Sequence, residues 1–292
     1  MSEHHHHEVS GKNLFITIVL NIIITIAQIV GGIVSGSLAL LSDALHNFSD
    51  VIALLLSYTA NKISKKPRTE TKTFGYKRAE ILASLFNATV LIGIGLYLVV
   101  EAISKFINPV EIKSSWVIFL AILSIVLNFV SVILIKEDSH HNLNIRSAYL
   151  HLLSDVATSV AVLIGGLVMM FWHIYWIDSA ITLLIAFYLI YMSYDIVKQS
   201  VEILMQHSPR DLDTNALKNK LKKNPQIKDI HHVHLWQLDD KNVFIEAHVS
   251  LNENLNISES NDIMRELTKI AKNDFGISHT TWQVEYENCN DN

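Results

Sequence analysis

One cysteine, Cys289, occurs in 292 residues. A lone thiol in a polar tail excludes an internal disulfide framework. It leaves histidine, present fifteen times, as the main soft-to-borderline metal ligand, with carboxylates beside it. An excess of positive charge is missing too. The formal net charge is −5, from 23 basic and 28 acidic residues, which excludes nucleic acid as a partner. No Gly-rich loop followed by Lys-Ser/Thr is found, so nothing points to ATP, and the zinc-protease pattern His-Glu-x-x-His is absent. The chain also lacks the basic stretch that precedes the apolar core of a cleavable signal. His4, His5, His6 and His7 stand there instead, between Glu3 and Glu8. They read as native rather than as a tag, and either gather metal for a site elsewhere or form a solvated tail.

What the sequence has is long apolar runs. Half of its residues are hydrophobic, yet the mean hydropathy is only +0.30, because a membrane-like part and a polar part are averaged together. Six stretches, near 13–34, 38–61, 80–105, 115–135, 146–171 and 176–197, reach the roughly twenty residues that a bilayer core requires. Lys62, Lys65, Lys66, Arg68, Lys72, Lys77 and Arg78 crowd the connection between the second and third. Lys136 and Arg146 lie between the fourth and fifth, and Lys198 follows the sixth, whereas the turns near Gly36 and His173 carry no Lys or Arg. Lys and Arg accumulate on the cytoplasmic side, which predicts that both termini are cytoplasmic.

Past Ser208-Pro209 the pattern becomes that of a soluble domain. A short amphipathic helix is predicted over 213–223, strands over 228–238 and 243–251 around Asp239-Asp240-Lys241-Asn242, a helix over 258–273 ended by Gly276, and a strand over 278–286. The order αββαβ implies a three-stranded sheet with helices packed on one face. The expected architecture is thus an α-helical membrane protein of six spans with a C-terminal α+β domain. Its parts are a tail (1–12), a transmembrane domain (13–206) and a cytoplasmic metal-regulatory domain (207–292).

Chemistry concentrates in a repeat. His46-Asn47-Phe48-Ser49-Asp50 on the second span returns as His151-Leu152-Leu153-Ser154-Asp155 on the fifth. Residues four apart share a helical face, so each span offers one imidazole and one carboxylate in the same direction. Two such helices face to face make an N2O2 site suited to tetrahedral Zn2+, and equally to Cd2+ or Co2+. Ionisable groups in a span are functional by default. Two identical sets in separate spans outweigh the plainer account, an interhelical hydrogen-bonding group. Serine before each aspartate is expected to orient the carboxylate or bond the backbone. Asp43 is either a third acid of the pathway or a helix-end residue beside Ser42. Asn21, Gln28, Asn87, Asn128 and Asp178 read as packing or water-cavity groups. The same ligands bind protons when metal leaves, so metal–proton exchange needs no other energy source.

Three competing functions follow. A proton-coupled metal exporter fits best. An intramembrane metalloenzyme is disfavoured because four protein ligands leave no open coordination position. A metal sensor anchored by its spans would not need paired ligands deep within two of them. No organic cofactor is implied.

Ser37–Asp50 (SLALLSDALHNFSD), Thr73–Glu80 (TFGYKRAE) and Asn142–Asp155 (NLNIRSAYLHLLSD) resemble the cation diffusion facilitator family, in its zinc/cadmium/cobalt branch. The resemblance covers nearly the whole chain. It implies a homodimer in a bacterial inner membrane, alternating access, proton-coupled efflux of zinc and similar ions, and a metallochaperone-like tail domain. His46, Asp50, His151 and Asp155 match the family's transport-site positions. A second site in the loop after the second span is not expected, because Lys72 and Tyr76 stand where other members have ligands. Before the fifth span only His140-His141 replaces the long histidine-rich loop of some members.

In the tail domain, His231, His232 and His234 fall on the first strand, His248 on the second, and His279 and Glu285 on the third. Strict alternation puts His232 and His234 on one face, with His234 opposite His248 or one residue out of step. The family binds regulatory metal at comparable positions, which match His234, His248 and Glu285. His279 would substitute where Gln283 replaces a histidine.

Overall fold

The computed structural model describes residues 11–139 and 143–286. His4–His7, His140, His141 and Cys289 lie outside the described residues. Six helices, each long and apolar enough to cross a membrane, come first. They are α1 (Gly11–Ser35), α2 (Leu38–Ser64), α3 (Ala79–Ile107), α4 (Ser114–Ser139), α5 (Leu143–Trp172) and α6 (Trp176–Leu204). At about 1.5 Å per residue, helices of 25 to 30 residues exceed a hydrocarbon core of about 30 Å. Hydropathy marks the part in lipid, and the helices run on past it: α6 continues seven residues beyond the stretch ending at 197.

Their surfaces are inverted relative to a water-soluble bundle. Leu184, Ile33 and Val100 are among the most exposed side chains, whereas Gln28, Ser124 and Thr182 are fully buried. Polar groups cluster inside because lipid offers them no partner. Small residues let the helices approach. A Cβ on Gly31 of α1 would lie 1.8 Å from Leu120 Cδ1 of α4, so this pair packs closely only with glycine there.

The soluble part runs α7 (Thr214–Leu221), β1 (Ile227–Gln237), β2 (Val243–Leu251), α8 (Ile257–Phe275) and β3 (Ile277–Tyr286). β2 is central, antiparallel to β1 and parallel to β3. Asp239 accepts from the backbone amides of Lys241 and Asn242 and so closes the hairpin. Asp213 caps α7, an Asn256–Glu259 capping box opens α8, and left-handed Gly276 ends it. Ile230, Leu235, Ile245, Ala247 and Val249 form the sheet side of a core shared with Leu217, Leu221, Ile263 and Leu267 of the helices. Both helices therefore cover one face.

One irregularity decides what the other face can do. Between the pairs His231↔His248 and His234↔Glu246, β1 advances three residues while β2 advances two. This is a β-bulge, with His232 in the left-handed region at φ 47°. The extra residue breaks alternation and returns His231 and His234 to the same face.

By packing, the chain forms two compact units. One joins residues up to Leu55 with Asn87–Asp195, and the other joins Leu56–Phe86 with the chain from Ile196 onward.

Candidate metal centres

α2 and α5 run antiparallel, so the two repeats meet head to tail. His46 Nδ1 is 3.6 Å from Asp50 Oδ2, and His46 Nε2 is 3.7 Å from Asp155 Oδ1. His151 Nε2 lies 3.1 Å from Asp50 Oδ2 and 3.8 Å from Asp155 Oδ2. Each imidazole thus touches both carboxylates, in a closed ring of four. One ligand atom from each of His46, His151 and Asp155 lies within 4.8 Å of the others, and Asp50 adds a carboxylate 3.1 Å from His151. The tetrahedral edges of roughly 3.3–3.6 Å that a bound metal ion sets require the four groups to close in and each to turn one donor atom inward. Neither oxygen of Asp155 accepts a hydrogen bond, although its side chain is only 1% exposed. A buried carboxylate without donors is costly, and a cation supplies what is missing.

The site is open on one side only. Side-chain exposure is 40% at His151 and 26% at Asp50, but 14% at His46 and 1% at Asp155. Beyond Asp155 lies a buried polar cluster. Asp43 accepts from Gln28 Nε2 at 2.6 Å, Thr158 Oγ1 at 3.0 Å and Ser159 Oγ at 3.4 Å. Gln28 also donates to Ser124 and accepts from Asn47. The cluster ties α1, α2, α4 and α5 together.

Several expectations are revised here. Asp43 is not a helix-end residue: it sits more than a turn inside α2, and the end of α2 is capped from elsewhere. Asp178, expected to serve packing, accepts from the backbone amides of Leu38 and Ala39 and from the Ser37 hydroxyl. A residue of α6 thereby caps α2. The two serines do not orient the aspartates. Ser49 Oγ reaches Asn87 of α3 at 3.5 Å, and Ser154 Oγ reaches Tyr188 of α6 at 3.4 Å. Gln28, Thr158 and Ser159 were not expected near an acid, and their partners, 15 to 116 residues distant, left no local signal.

A second cluster lies on the open face of the tail sheet. His231 Nε2 is 3.3 Å from Glu285 Oε2, and His248 Nδ1 is 2.7 Å from Glu285 Oε1. The three offer ligand atoms within 4.8 Å of one another. The His232 ring lies 4.8 Å from that of His248. Of the expected set, His248 and Glu285 are here, whereas His234 and His279 are not. The bulge sets His234 opposite Glu246, where it lines a cavity with Gln206, Ser208 and Trp236. The His279 ring packs on Phe244 at 4.8 Å. His231, read from alternation as facing away, takes the vacant role. Gln283 donates to Glu285 Oε1 at 2.9 Å and helps to fix that carboxylate. Behind His231, Asp229 is 3.7 Å from Nδ1. The neighbouring Lys222 ammonium holds the Asp229 carboxyl below the usual carboxylate range, so it stays charged beside the ring.

Residues 14–205 match the family model for the cation efflux transmembrane domain, and residues 209–287 match that for the cation efflux protein cytoplasmic domain. The chain is 34% identical over 287 residues to a cadmium, cobalt and zinc/H(+)-K(+) antiporter of Bacillus velezensis, covering 97% of this chain and 91% of the relative. It is 32% identical over 292 residues to the metal cation efflux system protein CzcD of Cupriavidus metallidurans, covering 99% and 92%. It is 30% identical over 296 residues to the zinc transporter ZitB of Pectobacterium atrosepticum, covering 100% and 91%.

Proposed function

Since the chain belongs to the cation efflux family, we propose that it is a proton-coupled antiporter that exports Zn2+ from the cytoplasm, with Cd2+ and Co2+ as further substrates. The single observation that carries the assignment to His46, Asp50, His151 and Asp155 is the approach of each imidazole to within 3.8 Å of both carboxylates, around an Asp155 side chain that accepts no hydrogen bond. Asp50 and Asp155 neutralise the dication, and the imidazoles favour zinc-like ions over Mg2+ or Ca2+. Each imidazole must be neutral to ligate. Protons arriving from the far side therefore compete with the metal and release it.

The Lys- and Arg-rich connection after α2 puts both termini in the cytoplasm of a bacterial cell. The half-open side, with Asp50 and His151, then faces the cytoplasm and the Asp43 cluster faces outward, an inward-open state. Residues 1–12 form a cytoplasmic tail, 13–206 the transport domain and 207–292 the regulatory domain. His231, His248 and Glu285, with His232 beside them, bind regulatory zinc. Two copies pair through their tail domains, and zinc favours the transport-competent dimer. Four protein ligands leave no position for a reacting substrate, which supports transport over catalysis.

Zinc uptake into proteoliposomes with an imposed pH gradient tests this. Wild type should accumulate zinc in proportion to the gradient, and Asp155→Ala should not. A well-folded wild type that moves none of the three metals would overturn the reading in favour of a sensor.

A further inference from the structure

The connection between α2 and α3 forms, with β1, a cavity of about 440 Å3 that metal transport does not use. Its walls combine three cations, Lys72, Lys77 and Arg78, with the apolar side chains of Phe74, Leu82 and Trp236. All six belong to the same compact unit.

The cations have no acidic partners among the described residues. Lys72 Nζ bonds the Tyr76 hydroxyl and lies 4.3 Å from that ring's centroid. The hydrogen bond and the charge of Lys72 draw the phenol pKa below its usual value. Arg78 Nε is shielded from solvent and has no hydrogen-bond partner. Cations of the tail domain are treated differently: Lys220 pairs with Asp274 and Lys222 with Asp229. Three neighbouring positive charges repel one another, and a shielded guanidinium nitrogen without an acceptor is costly. An anion relieves both.

The apolar side chains narrow the choice of anion. Phe74 and Leu82 are about half exposed, and Leu82 lies in the first turns of α3, where a spanning helix meets the bilayer surface. A small inorganic anion gains nothing from the apolar side chains. An amphiphile with a phosphate at one end uses both sets.

We propose that this cavity is a binding site for an anionic phospholipid of the adjoining leaflet. Lys72, Lys77 and Arg78 hold the phosphate, and Phe74, Leu82 and Trp236 hold the glycerol and the start of an acyl chain. The inference rests on the reading that α3 spans the membrane with this loop on the cytoplasmic side.

The test is native mass spectrometry of the full chain in detergent, titrated with phosphatidylglycerol and, separately, with phosphatidylcholine. Wild type should retain phosphatidylglycerol preferentially. K72Q/K77Q/R78Q should lose roughly tenfold to a hundredfold in apparent affinity for it, and none for phosphatidylcholine. The charge-preserving K72R/K77R/R78K should behave as wild type, which separates lost charge from lost folding. Equal retention of phosphatidylglycerol by wild type and K72Q/K77Q/R78Q would overturn the proposal. So would inorganic phosphate binding to wild type in place of the lipid, which would make this a soluble-anion site. A cavity that takes neither lipid but cross-links between two copies through F74C would overturn it in favour of a self-interface. Binding is read without metal or gradient, so the lipid site can fail while the transport reading stands, and the reverse.

Discussion

At the scale of single residues, the two buried aspartates of α2 and α5 differ in what surrounds them. Asp155 has no hydrogen-bond donor, whereas Asp43, bonded to Thr158 and Ser159 about one turn further along α5, has three. The first is arranged to take up a cation and the second to need none. Gln28→Leu removes the shortest of the donors to Asp43 and leaves a buried acceptor short. It should lower stability by about 1–3 kcal/mol, read as a lower midpoint of thermal unfolding in detergent, with the four ring residues intact. In the tail domain, zinc titration of the full chain by calorimetry should lose the regulatory binding step in His231→Ala and retain it in His234→Ala. The opposite pattern would return the site to strict strand alternation. Zinc binding should also weaken as pH falls from 7 to 5, because each imidazole must be deprotonated to ligate.

At the scale of elements, the ligand pairs were legible because helical periodicity is a local property. His46 and Asp50 share a face whatever α2 packs against, and so do His151 and Asp155. The spans were legible for a similar reason, since apolar length is written within each segment. Strand pairing is not local. Whether His231 or His234 meets His248 depends on one additional residue at His232, and only the assembled β1–β2 register reveals it. The cap on α2 was equally hidden, since Asp178 follows Leu38 by 140 residues. Asp178→Ala should cost about 0.5–2 kcal/mol, the usual range for a lost N-cap, and lower the unfolding midpoint without abolishing metal binding. Gly31→Leu tests the α1–α4 contact. The added side chain meets Leu120, and overpacking of this kind costs about 1–3 kcal/mol, visible as reduced thermal stability.

At the scale of the whole molecule, the ends of α2, α3 and α6 pack as one unit with the tail domain, while both ligand pairs lie in the other unit. The helix segments Leu56–Ser64 and Ala79–Phe86 continue without a break into the unit that holds the ring. His231, His248 and Glu285 stand on β1, β2 and β3, so zinc bound as proposed would join all three strands, and its chelation should loosen the tail domain. Hydrogen exchange should then rise across β1, β2 and β3, and the rise should be absent in His231→Ala, which has no zinc to lose.

The ring itself has a symmetry that bears on direction. Two antiparallel helices with the same His-x-x-x-Asp motif are related by a local dyad through the ion position, perpendicular to both. The dyad exchanges His46 with His151 and Asp50 with Asp155 only approximately, since the four contacts run from 3.1 to 3.8 Å and His46 makes its two through different ring nitrogens. The ring therefore has the same residue types on both sides of the dyad, and what differs is their burial, Asp155 being 1% and Asp50 26% exposed. A vector must be imposed by its surroundings: the Gln28–Asp43–Ser159 cluster lies on one side of the dyad and has no counterpart among the ring's contacts on the other. Polarity here belongs to the flanking residues, and the ligands themselves are neutral as to direction.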